Sequence, residues 1–193
     1  MTKRRDSMEA KAQALLDSLG IQTVPISVER IAKAMGARLQ YSPLDEELSG
    51  MVFIKDGIPI IGVNSLHHPN RQRFTVAHEL AHLHLHRDHI SRNVHVDKRF
   101  AESMLRRDAT ASTGTEQLEI DANQFAAALL MPKAKLEDLL AITQLDIEDE
   151  QALEHLAKKF KVSKATLQYR IRNLSSKLAV SAHRNRHSTA VTE

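Results

Sequence analysis

The chain has 193 residues, 42% of them hydrophobic, with 27 basic and 24 acidic side chains giving a formal net charge of +3; this suffices for one sizeable folded unit plus a small appendage. It contains no cysteine, which excludes a disulfide scaffold and leaves His, Asp and Glu as metal donors. No apolar run approaches the ~18 residues of a membrane span, and the charged start Met1-Thr-Lys-Arg-Arg-Asp6 is not followed by an apolar stretch, so the expectation is a cytoplasmic protein with no membrane partner.

In chain order, Ala12, Leu15, Leu16 and Leu19 fall at helical spacing and Gly20 follows as a stop, which predicts a first helix from about Ser7 to Leu19. Ser27 caps a second, with Val28, Ile31, Ala32 and Met35 as its stripe and Gly36 at its end. From Arg38 the period changes. An extended stretch to Tyr41, then Gly50 to Ile54, an Asp56-Gly57 turn and Ile58 to Val63 read as a small antiparallel sheet. His67 and His68, in the loop that follows, read as surface histidines.

Phe74-Thr-Val-Ala-His78-Glu79-Leu-Ala-His82-Leu-His84-Leu-His86 places an H-E-x-x-H motif in a helix that is apolar nearly all round. Residues four apart lie ~40° apart around the axis and ~6 Å along it, so His78 and His82 can each offer one imidazole nitrogen to a single ion. Buried histidines and a glutamate are costly unless something satisfies them, and Zn²⁺ suits this donor set. Glu79 then sits beside the ion as a general base for water. His86 extends the i+4 series, but it lies ~12 Å from His78 along the axis and cannot share an ion with ~2 Å bonds. Leu85 and Asp88 stand where the longer metzincin motif requires Gly and His, which excludes that class.

A polar stretch to about Thr115, with one strand near Val94 to Val96, reads as a long loop. Glu116 to Met131 is again helical and stops at Pro132. It carries Glu119 and Asn123 one turn apart on a shared face, where one can ligate the metal while the other orients a ligand histidine. Lys135 to Ile142 makes a short helix. Leu153, Leu156, Ala157 and Phe160, a turn at Lys161-Val162-Ser163, then Leu167, Ile171 and Leu174 form a helix-turn-helix pattern. Its second helix would expose Gln168, Arg170 and Arg172 to DNA or a partner. From Ser175 to Glu193 apolar periodicity vanishes, which predicts disorder.

Three segments in order, Arg71-Gln-Arg-Phe-Thr-Val-Ala-His-Glu-Leu-Ala-His82, Glu119-Ile-Asp-Ala-Asn-Gln-Phe-Ala-Ala-Ala-Leu-Leu-Met-Pro132 and Phe160-Lys-Val-Ser163, resemble the ImmA/IrrE family of metallopeptidases over about Leu15 to Leu174. The resemblance implies a gluzincin-like domain in which His78, His82 and Glu119 bind zinc and Glu79 is the base. It also implies a helix-turn-helix transcriptional repressor as substrate, cleaved to release phage, mobile-element or stress genes. Asp121 stands where the family pattern usually has Glu. Glu119 and Asp121 leave the helix ~200° apart, so only one can face the histidines. The stripe through Phe125, Ala126 and Ala122 leads back to Glu119, and Asp121 falls towards solvent or a contact outside the ligand set.

The fold class expected is therefore α+β: a mostly helical zincin-like domain with a small antiparallel sheet over 7–132, a helix-turn-helix-like helical subdomain over 133–175, and a disordered tail over 176–193. The function expected is zinc-dependent endoproteolysis of a repressor. The alternatives are a non-cleaving anti-repressor and a DNA-binding module; the intact Glu79 favours the enzyme, and the basic helix reads more simply as a solvated face, so nucleic acid is not the favoured partner. Tyr41, His84 and Tyr169 are equal candidates for the group that assists the oxyanion.

Overall fold

A computed structural model of the chain describes residues 2–90, 95–97, 114–143 and 150–174. Helix α1, Thr2–Ser18, buries Met8, Ala12 and Leu16, one residue per turn. Helix α2, Val28–Ala34, begins where the Ser27 hydroxyl accepts the Arg30 amide hydrogen at 3.2 Å, and it buries Val28, Ile31 and Ala32.

Strands β1 (Arg38–Ser42), β2 (Gly50–Lys55), β3 (Ile58–Asn64) and β4 (His95–Asp97) form one sheet in the order β1-β3-β2-β4. The β2–β3 hairpin turns at Asp56 and Gly57, with φ of 52° and 77°. Two successive left-handed residues match strand twist, which is why Asp-Gly suits the position. The sheet is not wholly antiparallel as expected, because β1 joins β3 in parallel. Buried Asn64, at the end of β3, permits this. Its side-chain NH₂ reaches the carbonyls of Leu44, Asp45 and Leu48 at 3.2, 3.1 and 2.8 Å, and its oxygen accepts the Leu44 amide hydrogen at 3.3 Å. The loop 43–49 is thereby held across the sheet end, and β1 enters beside β3 rather than β2.

Helix α3, Pro69–Leu85, is capped by His68, whose Nδ1 accepts from the Asn70 amide at 3.1 Å, while Pro69 occupies a first-turn position where no N–H is needed. His68 is thus a cap, and His67 is half-buried with Nε2 3.3 Å from the Glu46 carbonyl oxygen. Every side chain from Phe74 to Leu83 is buried, since α3 lies between the sheet and helix α5, Gly114–Leu130. Helix α5 in turn packs on α1, with Ala122, Phe125, Ala126 and Leu129 fully buried. Small side chains here allow close approach of the helices. The short helix α4, Arg87–Ile90, follows α3 directly.

Helices α6 (Lys133–Thr143), α7 (Glu150–Phe160) and α8 (164–174) complete the described chain. Ser163 caps α8, accepting the Thr166 amide hydrogen at 3.1 Å. The buried residues of α7 and α8 belong to the same core as the rest. Asn70 donates to the Val162 carbonyl at 3.0 Å and Arg73 to the Lys161 carbonyl at 3.3 Å, tying the turn between α7 and α8 to the start of α3. Among the described residues no helix is long and apolar enough to cross a membrane. The expected loop interior at 98–113 and the tail 176–193 lie outside the described residues; the expected strand near Val96 is β4.

Candidate metal centre

The site is assembled from two facing helices. On α3, His78 and His82 are one turn apart, each 1% exposed, and their Nε2 atoms stand 3.0 Å apart. From α5, Glu119 brings Oε2 to 3.2 Å from His78 Nε2 and Oε1 to 3.3 Å from His82 Nε2. Its side chain is 29% exposed, so the centre opens to solvent on the carboxylate side. The set His78, His82 and Glu119 forms a group able to hold a metal ion.

Two features of this donor set favour a cation. Four-coordinate bonds of ~2.0–2.1 Å at tetrahedral angles put ligand atoms about 3.3 Å apart, and the three observed separations are 3.0, 3.2 and 3.3 Å. The second feature is the state of the rings. His78 Nδ1 lies 3.0 Å from the Asn123 amide oxygen, an acceptor, so in the neutral ring this nitrogen carries the hydrogen and Nε2 presents its lone pair. A lone pair and a carboxylate converging in a buried site require positive charge. Burial pushes the Glu119 carboxyl up, but hydrogen bonds and charge from His78 and His82, when those rings are protonated, more than reverse this and hold it well below the usual carboxylate range. The carboxylate is ionised, as a ligand must be.

Glu79 is fully buried on the same helix, and its Oε1 is 3.6 Å from where a Cβ on Gly50 would stand. It therefore lies between the α3 ligands and the start of β2, beside the centre. Of the two places expected for Asp121, solvent is not the one it takes: it is 3% exposed and accepts from the Gln117 amide at 3.0 Å; helix α5 packs on α1 as well as on α3.

The expected contact surface on α8 is also corrected. Gln168 is half-buried and Arg172 exposed, but Arg170 is 5% exposed. It grips Glu9 with two bonds of 2.7 Å and donates to the Met131 carbonyl at 2.9 and 3.1 Å. The signal was available: Leu167, Arg170, Ile171 and Leu174 follow the i, i+3, i+4, i+7 spacing of a buried stripe. Tyr41 lies near Glu29 and Arg73, His84 packs on Phe125 with its pKa lowered by burial and by Lys11, and Tyr169 lines a small cavity with Glu9, Gln124 and Arg170. His86, set aside as a ligand, places Nδ1 3.3 Å from His82 Nδ1.

An H-E-x-x-H helix backed by a sheet, with a carboxylate supplied by the next long helix, is a metallopeptidase-type fold. Residues 32–172 match the Peptidase_M78 family, described as the IrrE N-terminal-like domain, and the chain belongs to that family. Among solved structures it is similar to a Mycobacterium tuberculosis transcriptional regulator, with a TM-score of 0.56 and 20% sequence identity over 87% of this chain and 50% of that one. The chain thus spans half the length of that regulator, and the likeness at this identity concerns the fold. No curated protein matches the chain.

Proposed function

We propose that this protein is a zinc-dependent endopeptidase acting in the cytoplasm on a helix-turn-helix transcriptional repressor, relieving repression of phage, mobile-element or stress genes. The observation that carries the reading is the meeting of His78, His82 and Glu119 within 3.3 Å, with buried Glu79 beside them on the same helix. Zn²⁺ held there would supply Lewis acidity to the scissile carbonyl and to water. Glu79 would take the proton from that water and return it to the leaving amine. Asn123 would hold His78 in the ligating tautomer. A substrate segment would pair as an added strand with β4, the outer strand beside Gly50, where extended backbone is presented next to Glu79. Residues 133–175 would act as a buttress for this site rather than as a DNA reader, a role supported by the burial of Arg170.

The test is incubation of the purified protein with the helix-turn-helix repressor encoded beside its gene. Cleavage that requires zinc, is stopped by a chelator and is lost in Glu79→Gln is the expected result; general-base loss typically costs about 10²- to 10⁴-fold. Repressor release that persists in Glu79→Gln without any cleavage would replace the enzyme by an anti-repressor that works through binding.

A further inference from the structure

His82 is 1% exposed, and its two ring nitrogens face different groups. Nε2 faces His78 and Glu119 at 3.0 and 3.3 Å; Nδ1 faces His86 Nδ1 at 3.3 Å, with the two ring centroids 5.3 Å apart. We propose that His86 is a positioning residue for the metal ligand His82, with its Nδ1 accepting the hydrogen that His82 Nδ1 carries when His82 Nε2 binds the ion.

This inference rests on the metal centre proposed above. A neutral imidazole has one N–H and one lone pair, and the group facing one nitrogen decides which end is free to bind metal. For His78 that group is Asn123, reaching across from α5. The corresponding nitrogen of His82 faces the next histidine along its own helix, one turn on. Loss of this acceptor would weaken the preference for a hydrogen on Nδ1, and the tautomer with a hydrogen on Nε2, aimed at the ion, would gain weight.

The backbone of His86 suits it to this task. It is the C-cap of α3, where its own amide hydrogen goes to the His82 carbonyl at 2.8 Å. Its carbonyl oxygen accepts from His89 and Ile90 in α4 at 2.9 and 3.2 Å. The ring is hung from a joint fixed on both sides, over the turn that holds His82. The H-E-x-x-H spacing thus continues for one more period, from ligand to the support of a ligand.

The experiment uses the full chain, stripped of metal, with zinc titrated against a chromogenic chelator. His86→Ala should weaken zinc binding by about 10- to 100-fold, the usual loss when a ligand histidine is deprived of its support, with the melting temperature of the metal-free protein unchanged. In His86→Asn the amide oxygen comes to the place of Nδ1, and affinity should return to within a few-fold of the original. Unaltered affinity in His86→Ala, with tight binding by the original protein, overturns the role of His86 alone. So does an asparagine variant as weak as alanine, which would mean that only ring packing matters. If the original protein itself binds no zinc, the metal centre falls and this inference with it.

Discussion

His78 and Asn123 face each other across the α3–α5 interface, with His78 Nδ1 3.0 Å from the Asn123 amide oxygen. The contact joins a ring that faces the centre to the helix that supplies Glu119, so the histidine is set by a residue 45 positions away in sequence. Asn123→Leu, which keeps the volume and removes the acceptor, should lower zinc affinity about 10- to 100-fold. Asn123→Asp keeps an acceptor and should retain tight binding. Chelator competition on the two variants checks this, and equal affinities would show that the contact has no bearing on the metal.

Glu119 and Asp121 separate ligand chemistry from packing. Glu119 is partly exposed and close to both histidines, whereas Asp121 is buried against Gln117. Glu119→Ala should lose zinc and, with it, the stabilisation that a native-state ligand confers, about 2.7 kcal/mol at a hundredfold excess over Kd; the metal-free protein should melt as before. Asp121→Ala should show the reverse: full zinc stoichiometry, with stability lowered by about 1–3 kcal/mol as a buried hydrogen bond is broken. Metal analysis and melting of both variants decide the assignment, and zinc loss in Asp121→Ala alone would invert it.

Arg170 and Arg172 should differ in kind. Removing one partner of the buried Arg170–Glu9 pair leaves a charge without its partner, and Arg170→Ala should cost about 3–5 kcal/mol in chemical denaturation. Exposed Arg172→Ala should lie within about 0.5 kcal/mol of the original protein. Neither should alter zinc content. Salt-sensitive DNA binding lost in Arg172→Ala would instead revive a nucleic-acid role for α8.

Acid should release the metal through the histidines. Burial, which favours the neutral form of Glu119, is outweighed by His78 and His82, so this carboxyl remains ionised well below the usual range. Histidines ligate as neutral rings, so protons compete with the ion for His78 and His82 and affinity falls as pH drops. With two such ligands the fall approaches about 100-fold per pH unit once both rings are protonated, and calorimetry in that acid range, in buffers of different ionisation enthalpy, should count close to two protons released per zinc. A count near one would remove one histidine from the ligand set.

What the sequence made legible was whatever local spacing determines. The α3 histidine pair, the Ser27 cap, the Asp56-Gly57 turn and the stop at Pro132 each follow from residues within a few positions of one another. Long-range placement was harder. The parallel entry of β1 depends on Asn64 gripping a loop about twenty positions earlier, for which no pattern within β1 or β3 gives a sign. Arg170 read as polar and hence external, yet it meets Glu9 of α1 inside. Charge alone is a poor guide where an element has no solvated side.

Gly50 supplies the last prediction, because it decides how near the sheet may come to Glu79. A Cβ at this position would overlap Thr75 Cγ2 and stand 2.8 Å from the Gly62 carbonyl oxygen, with Glu79 Oε1 at 3.6 Å. Arg71 donates to the Ser49 hydroxyl at 2.9 Å, so the residue before Gly50 is anchored to α3 and the strand cannot simply swing outward. Gly50→Ala must therefore push β2 off α3 or displace Thr75, and overpacking of this kind typically costs about 1–3 kcal/mol. The overlap falls on Thr75 and the Gly62 carbonyl and not on His78, His82 or Glu119, so zinc stoichiometry should be preserved while any peptidase activity falls with the shift of Glu79 against the strand. Thr75→Ser removes the overlapping methyl but not the Gly62 carbonyl, and the double variant should recover only part of the stability. Denaturation and zinc analysis of the single and double variants check the geometry; a Gly50→Ala protein as stable as the original would mean that β2 does not lie this close to the helix.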